Sequence, residues 1–293
     1  INDLSDHISN PASLYADDNK LASAILPNNS SKQICLQTDL NNIVNWTNTW
    51  HMELNVSKCE VMHIGKNNPG RNYFMTKSNS DQLIQLITTT SERDLGIIIS
   101  NDLKPTLQCE KAAQTAYKIF GMLKRAFISR SLPIWTQLYK IYIRPHLEFA
   151  VAAWNPHQKK DIQKLERVQR RVTKTVTNIN HLNYSDRCKA FGITSLVHRR
   201  TRGDLIQMYK ITTHQDHINW HNKPIVQPPR QRHRGYYQRE LIRNCKVREN
   251  FFNNRIATPW NSLPDDVVFA KSVNSFKAKL DKYYNTPNKK KIK

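Results

Sequence analysis

The sequence predicts an α+β protein, with short strands and one helix in its first part and mainly α-helical structure afterwards. Two observations support this class. Two short apolar segments within residues 13–22 meet at a polar Asp-Asp-Asn tip, as in a β-hairpin. Beyond Pro105, apolar residues recur three or four positions apart, which is typical of amphipathic helices. No apolar run approaches the roughly 18 to 20 residues of a membrane span.

In the first part, apolar spacing predicts a helix over residues 31–52 and then a strand over residues 54–64, with Lys58 near the start of the strand. The loop that follows is polar and contains Gly and Pro. Further short strands, expected to be antiparallel, are predicted around Phe74, residues 83–88 and residues 95–100.

After Pro105 the pattern predicts three helices in succession. The second begins near Pro133, which suits a helix start, and Pro145 is expected to kink or interrupt it. The third, over about residues 159–179, carries two stripes roughly 140° apart at about 100° per residue. The apolar stripe consists of Ile162, Leu165, Val168, Val172 and Val176. The basic stripe consists of Lys160, Lys164, Arg167, Arg171 and Lys174.

The rest of the chain is predicted to be helical over residues 184–209 and 272–284. Between them lies a Pro- and Arg-rich stretch, residues 228–234, which cannot be a regular helix throughout. The lysine-rich end, residues 288–293, is expected to be a disordered tail. The sequence therefore predicts three regions: residues 1–105, residues 106–180 and residues 181–293.

Net charge is the strongest compositional observation. The 45 Lys and Arg against 23 Asp and Glu give +22, and the excess is uneven. Residues 1–120 hold 10 basic and 12 acidic side chains, whereas residues 121–293 hold 35 and 11. Such asymmetry indicates a polyanion partner, because neutralising phosphates releases condensed counterions. A well-solvated basic surface without a partner is the alternative.

Adjacent carboxylates at a tight turn are candidate metal ligands. Hard cations such as Mg²⁺ prefer a few carboxylates and leave positions open for phosphate oxygens. Two such ions can align an in-line phosphoryl displacement. Asp17 and Asp18 meet this description, although an Asp-Asp pair in a turn is also common as a plain exposed turn.

The residues around this pair resemble the reverse transcriptases of non-LTR (LINE-type, jockey-like) retrotransposons. Tyr-Ala-Asp-Asp at residues 15–18, followed by Asn-Lys-Leu, resembles the motif C signature of that family. The further matches follow in the family's order. They are Ile-Asn-Asp-Leu at 1–4, the helix over 40–50, Leu-Asn-Val-Ser-Lys-Cys at 54–59 (motif D), Glu-Arg-Asp-Leu-Gly-Ile at 92–97 (motif E), the thumb-like segments 141–148, 153–156 and 165–171, and the ending at 254–255 and 260–264.

The resemblance implies a partial palm followed by a helical thumb and a basic C-terminal region. Asp17 would be the main metal ligand and Asp18 a less direct one, with two Mg²⁺ ions in the complete enzyme. Tyr15 would lie close to the primer end, and Leu95 and Gly96 would belong to the primer grip. Lys58 would approach the incoming deoxynucleoside triphosphate, or it is a plain surface lysine.

The family's third carboxylate, from motif A, has no counterpart here, because the sequence begins only 16 residues before Asp17. The fingers and motif B are expected to be missing as well. The parent function implied is RNA-directed DNA synthesis on an RNA template and a DNA primer, with this chain expected to be inactive alone. The alternative is a non-catalytic nucleic-acid-binding remnant. Protein partners are not indicated.

Basic residues beyond residue 120 are candidates for holding an RNA–DNA hybrid through its phosphates. These are Lys124, Arg125, Lys160, Lys164, Arg167, Arg170, Arg171, Lys174, Arg230, Arg232 and Arg234. Tyr236 and Tyr237 either stack on unpaired bases or pack in the core. The remaining large aromatics are assigned to cores: Trp46, Trp50, Trp135, Trp154 and Trp260.

Five isolated cysteines without a C-x-x-C pair fit a reducing compartment. No apolar leader follows a basic region in residues 1–30. A nuclear or cytoplasmic protein that is neither secreted nor membrane-bound is therefore expected.

Overall fold

The chain folds as two units, Ile1–Leu103 and Lys104–Lys293. The computed structural model describes residues 3–16, 18–25, 30–77, 82–218, 220, 224–228 and 235–285, and of residues 30–33 the backbone alone. The α+β class is confirmed, since the first unit mixes strands with one long helix and the second is mainly helical. The second unit contains both the expected thumb and the expected C-terminal region, and the division between these two stays a prediction.

The first unit begins with a short 3-10 turn at Leu4–His7 and a β-hairpin. Its long helix is close to the expected range. In chain order its elements are β1 (Ala12–Tyr15), β2 (Asp18–Leu21), α1 (Ser30–Thr49), β3 (Glu60–Met62), β4 (Phe74–Thr76), β5 (Leu83–Gln85), β6 (Ile87–Thr89), β7 (Ser91–Asp94) and β8 (Ile97–Ser100).

Three hairpins, β1–β2, β4–β5 and β7–β8, are antiparallel as expected, whereas β3 pairs with β6 in parallel. A parallel pair needs a long crossover, and the segment with the β4–β5 hairpin supplies it. The core of the unit lies on the apolar face of α1. Its buried members are Leu4, Ile43, Val44, Trp46, Val56, Tyr73, Met75 and Leu86.

The helices of the second unit follow the expected order. They are α2 (Thr106–Ala126), α3 (Leu132–Leu138), α4 (Arg144–Glu148), α5 (Val151–Trp154), α6 (Lys159–Thr173), α7 (Tyr184–Ala190), α8 (Leu196–Thr212), α9 (Lys246–Glu249), α10 (Phe252–Asn261), α11 (Asp265–Val268) and α12 (Val273–Asn285), with a two-stranded ladder of β9 (Val226–Gln227) and β10 (Tyr236–Tyr237) between α8 and α9.

The interruption predicted at Pro145 is confirmed. A π-helical turn, Tyr139–Ile143, separates α3 from α4, and Pro145 stands in the first turn of α4. Proline has no backbone N–H, so Pro145 cannot donate a hydrogen bond to the preceding turn. The π-helical turn accommodates this missing bond. A second break follows at Ala150, whose φ of 49° lies in the left-handed region.

Two expectations about helix ends and cores are wrong. The helical pattern over residues 184–209 is two helices, because Gly192 at φ 58° ends α7. Trp50, assigned to a core, is 58% exposed beyond the end of α1, whereas the other four tryptophans so assigned are buried. The stretch at residues 229–234 and the tail at residues 288–293 lie outside the described residues.

No helix in the described ranges has the length and apolar character required to span a membrane. All five cysteines are free thiols.

Candidate functional site

The predicted catalytic hairpin is present, with its turn one residue earlier than expected. Tyr15 pairs with Asp18, so the turn precedes Asp18 and Asp18 opens β2. Ala16 has φ 53°, as the tight turn of a two-residue hairpin requires. Asp17 itself lies outside the described residues. Asp18 is exposed and Tyr15 is 65% exposed, so the hairpin end presents a carboxylate and a phenol ring to solvent.

A buried carboxylate anchors the base of this hairpin to α1. Asp39 is fully buried and accepts hydrogen bonds from the backbone N–H groups of Ser9 and Asn10, at 2.9 and 2.8 Å. The side-chain amide of Asn10 donates a third, at 2.7 Å. Nearby, Trp46 Nε1 donates to Asp3 Oδ2 at 3.1 Å, and this bond lowers the pKa of the Asp3 carboxyl. Asp3 is therefore held by α1 rather than offered to a metal.

A second exposed hairpin lies beside the first within the same unit. Leu95 and Gly96 form the two-residue turn between β7 and β8, with φ of 46° and 87°. Glycine adopts this region freely, whereas leucine there is strained, and its side chain is 54% exposed. Lys20 of β2 forms an ion pair with Asp94 of β7, which ties the two hairpins together. The structure thus brings the β1–β2 and β7–β8 hairpins near each other.

Lys58 lies before the strand rather than in it. Residues Val56–Lys58 form a 3-10 turn, and β3 begins only at Glu60. The cause is local, since Ser57 Oγ donates to Asn55 Oδ1 at 2.6 Å and such short polar pairs compete with extended structure. Lys58 is exposed there, which is compatible with either of its two expected roles.

The part of the chain that the structure describes, which does not include Asp17, contains no complete donor set for a metal. Among the described residues, no three Asp, Glu, His or Cys side chains come together as a metal site. Glu60 and Glu92 do meet across β3 and β7, where a hydrogen bond with Glu92 raises the pKa of Glu60. That pair offers two ligands at most. Asp17 and Asp18 alone do not fit the two Mg²⁺ ions that the resemblance implies.

The two-faced character predicted for the third helix is confirmed in α6. Leu165, Val168 and Val172 have no exposed surface and pack into the unit. The opposite face exposes four cationic side chains: Arg167, Arg170, Arg171 and Lys174. Lys160 is also exposed, whereas Lys164 pairs with Glu110 of α2, so part of its charge is neutralised within the unit. We call Arg167, Arg170 and Arg171 the arginine face.

Aromatic rings hold two members of the arginine face in place. The Arg170 guanidinium carbon lies 4.6 Å from the centroid of the Tyr184 ring, and that of Arg171 lies 5.9 Å from the Tyr117 ring. Such cation–π contacts order a long side chain without neutralising it. Lys124 and Arg125 are exposed in the last turn of α2, where they complement the helix dipole.

Buried polar residues of α6 form a second set that sequence reasoning missed. Glu166 is 8% exposed and accepts hydrogen bonds from the Leu196 N–H at 2.8 Å and the Tyr184 hydroxyl at 2.6 Å. It therefore caps the N-terminus of α8. Gln169 has no exposed surface and donates to the Tyr184 hydroxyl at 2.8 Å and to Thr194 O at 3.0 Å. The sequence feature that could have identified Gln169 and Glu166 as buried is their position beside the apolar stripe of α6.

Another buried network accounts for the segments that resemble the family's ending. Asp204 of α8 is 2% exposed and accepts two hydrogen bonds from Arg255, both at 2.9 Å. Asn155 Nδ2 also donates to Asp204, at 2.9 Å. Asn261 pairs with the backbone of Tyr237, at 3.0 and 2.8 Å. These polar residues stabilise the fold of the second unit and do not form a surface.

The remaining candidates for nucleic-acid binding are two tyrosines that the structure describes and three arginines that it does not. The Tyr237 ring packs edge-on against Trp260, with centroids 6.4 Å apart. Of the two roles expected for Tyr237, stacking on bases or packing in the core, the structure shows core packing. Tyr236 is half-buried in β10. Arg230, Arg232 and Arg234 lie outside the described residues.

Comparison with known proteins gives one distant relative to report. The chain is similar to the uncharacterized protein B0403.1 of Caenorhabditis elegans, with 23% identity over 137 residues, which cover 46% of this chain and 69% of that protein. No protein-family model matches the chain. No solved structure matches it either. The relative's name states no function, so a functional conclusion has to come from the chemistry of the described residues.

Proposed function

We propose that the chain is the part of a non-LTR retrotransposon reverse transcriptase that carries the catalytic hairpin, the motif D and E region and the thumb. Its own task is to hold an RNA–DNA hybrid. In the parent enzyme it would contribute Asp17 and Asp18 to RNA-directed DNA synthesis from deoxynucleoside triphosphates. The observation that carries the holding function is the arginine face, three exposed guanidinium groups on a helix whose other side is fully buried.

The arginine face suits phosphates for two reasons. Guanidinium groups stay charged and bind phosphate oxygens through several N–H donors in a fixed plane. The buried side of α6 holds the helix rigidly, so the three side chains project from a fixed support. Backbone contacts of this kind give affinity without base readout, as a polymerase that copies any template needs.

The two exposed hairpins support the catalytic part of the proposal. Tyr15 and Asp18 stand at one hairpin end and Leu95 at the other, and the Lys20–Asp94 ion pair connects their strands. A strained, exposed leucine in a turn that favours Asn-Gly is typical of a site retained for contact with a ligand. The ligand that we propose for these two turns is the primer end of the hybrid.

In a complete enzyme, Asp17 and Asp18 would be two of the metal ligands. A third carboxylate has to come from elsewhere in a complete enzyme. When present, two Mg²⁺ ions would supply charge neutralisation at the attacking and leaving oxygens.

The second candidate function is binding of nucleic acid without catalysis. The concentration of positive charge in residues 121–293, outside the unit that contains the hairpin, favours it. The two candidates share the arginine face and differ only in what the hairpin does.

Hybrid binding by the full chain tests the shared function. The triple variant Arg167→Ala, Arg170→Ala, Arg171→Ala is compared with Arg243→Ala, Lys271→Ala, Lys277→Ala, which removes the same charge from other parts of the second unit. We expect the first triple to weaken binding of a fluorescent hybrid by roughly tenfold or more and the control by much less. Equal losses would mean that net charge alone attracts the hybrid.

Primer extension in Mg²⁺ separates the two candidates. The chain alone is expected to give no extension. A longer polypeptide in which the fingers and a motif A aspartate precede residue 1 should extend the primer, and Asp17→Asn should abolish that extension. Extension that survives Asp17→Asn would exclude the assigned role of the hairpin and leave the binding function.

A further inference from the structure

A groove on the second unit lies between α2 and α6, next to the arginine face. It has a volume of about 310 Å³ and is lined by Tyr117, Phe120, Gly121, Lys124 and Arg171. This volume is at the lower end of the roughly 300–1,000 Å³ that ligand sites occupy. The groove therefore has room for one small planar group and not for a duplex.

The lining combines aromatic surface with positive charge. Phe120 is 6% exposed and packs edge-on against Trp135, with centroids 5.8 Å apart, so it forms the buried floor of the groove. Tyr117 is half-buried, and the Arg171 guanidinium carbon lies 5.9 Å from its ring centroid. Lys124 is exposed at the same groove. Ring and cations border the same space.

Gly121 keeps the groove open. A Cβ built at this residue would meet nothing closer than the Arg125 Nη1 atom at 4.0 Å. The helix itself gains nothing from glycine here, because glycine in a helix interior is less stable than alanine. The space above Gly121 is therefore open to a ligand.

We propose that this groove binds one unpaired nucleotide of a nucleic acid strand, with the base against the Tyr117 ring and a phosphate at Arg171 and Lys124. Every base has a π-face, so stacking of this kind accepts any sequence. Duplex phosphates require no aromatic cavity, whereas an unpaired base has a free face to stack. The inference rests on the proposed function and adds to it: the thumb holds the single strand that continues from the hybrid.

The test measures the ratio of two affinities, that for an extended hybrid divided by that for a blunt hybrid. Affinities of the full chain for a blunt RNA–DNA hybrid and for the same hybrid with a short unpaired RNA extension are determined by fluorescence anisotropy. We expect the extension to raise the affinity roughly 5- to 150-fold, as stacking of one base does. An extension built of abasic nucleotides supplies the phosphates without bases and should give little of this gain.

Two variants remove the groove by different means. Tyr117→Ala takes away the stacking ring, and Gly121→Leu fills the space while favouring the helix. Both should reduce the ratio to about one, and Tyr117→Phe should restore it. Lys118→Ala on α2 and Gly203→Ala on α8, which lie outside the groove, serve as controls; circular dichroism checks the fold of each variant.

The outcomes are separable from those of the proposed function. Equal affinity for blunt and extended hybrids, an equal gain from the abasic extension, or a gain that survives Gly121→Leu would each overturn the inference. If the blunt hybrid does not bind but single-stranded RNA binds in a manner that Gly121→Leu abolishes, the groove stands and hybrid holding fails. If neither probe binds, both fail.

Discussion

The two units differ in where their polar residues stand. Residues 1–103 carry 7 basic and 11 acidic side chains, and the candidate catalytic residues that the structure describes there, Asp18 and Lys58, are exposed. Residues 104–293 carry 38 basic and 12 acidic side chains, and the family-like segments there mix exposed cations with fully buried polar groups. Resemblance to a family motif therefore does not by itself separate residues that bind a ligand from residues that stabilise the fold.

Helix α6 shows this within one segment. Glu166 and Arg167 are neighbours in the same motif, yet one caps α8 from inside the unit and the other faces solvent. Burial and hydrogen-bond partners distinguish them. The predictions below compare such pairs, in order of decreasing effect.

The largest effect is expected at the buried ion pair of the second unit. Arg255→Ala leaves the Asp204 carboxylate, whose side chain is 3% exposed, without its bidentate partner. Breaking a buried pair in this way costs about 3–5 kcal/mol, because the remaining charge is desolvated and has lost its ion-pair partner. Urea unfolding should show a much lower midpoint. The exposed pair Lys189–Asp186 is the control, and Lys189→Ala should leave the midpoint nearly unchanged.

A smaller loss is expected inside α6. Glu166→Ala removes the acceptor for the Leu196 N–H and the Tyr184 hydroxyl, which should lower the free energy of unfolding by about 1–3 kcal/mol. Arg167→Ala, one residue later, should leave stability within about 0.5 kcal/mol and weaken hybrid binding instead. Thermal unfolding together with hybrid titration checks both. The opposite pattern would reverse the roles assigned to these two residues.

Glycine-to-alanine changes should have opposite signs in the two units. Gly96→Ala places a Cβ at φ 87° and should destabilise the first unit by about 1–2 kcal/mol. Gly121→Ala in α2 should stabilise the second by about 0.4–1 kcal/mol, since the space is open. Hydrogen exchange measured separately for the amides of each unit gives the two changes in the free energy of unfolding. A stabilising Gly96→Ala would refute the left-handed turn.

The smallest effect is a pH dependence at His198. Its ring packs edge-on against Tyr284, with centroids 4.7 Å apart, and burial lowers the pKa of the imidazole below its ordinary value of 6.5. Asp281 opposes this shift, and Arg202 and Arg199 reinforce it. The folded state thus disfavours protonation, so the stability contribution is full above about pH 6.5 and is lost as the pH falls below that value. His198→Phe should flatten the acid limb of a stability profile; an unchanged limb would contradict this.

Local patterns predicted much of the fold. The helix at α1, the β1–β2 hairpin, the break at Pro145 and both faces of α6 follow from periodicity and turn chemistry, which are properties of neighbouring residues. The parallel pairing of β3 with β6 does not, because it depends on contacts between distant segments. The exposure of Trp50 was missed for a similar reason, since α1 ends at Thr49 and leaves that ring beyond the core.

Less of the site was predictable. The exposed arginines followed from helical spacing, but the roles of Glu166, Gln169 and Asp204 depend on partners 15 to 51 positions away in sequence. The groove at Gly121 requires two helices to meet, which no pattern in either helix indicates.

The dependence of hybrid affinity on salt tests the central claim most directly. Each phosphate neutralised by a cation contributes roughly 0.7 to 0.9 to the slope of log affinity against log salt. We predict that replacing the arginine face by alanine lowers the magnitude of that slope by about two to three, while the control triple Arg243→Ala, Lys271→Ala, Lys277→Ala changes it by less than about one. A slope that is the same for the arginine-face variant and the unchanged chain would show that these side chains do not contact the hybrid.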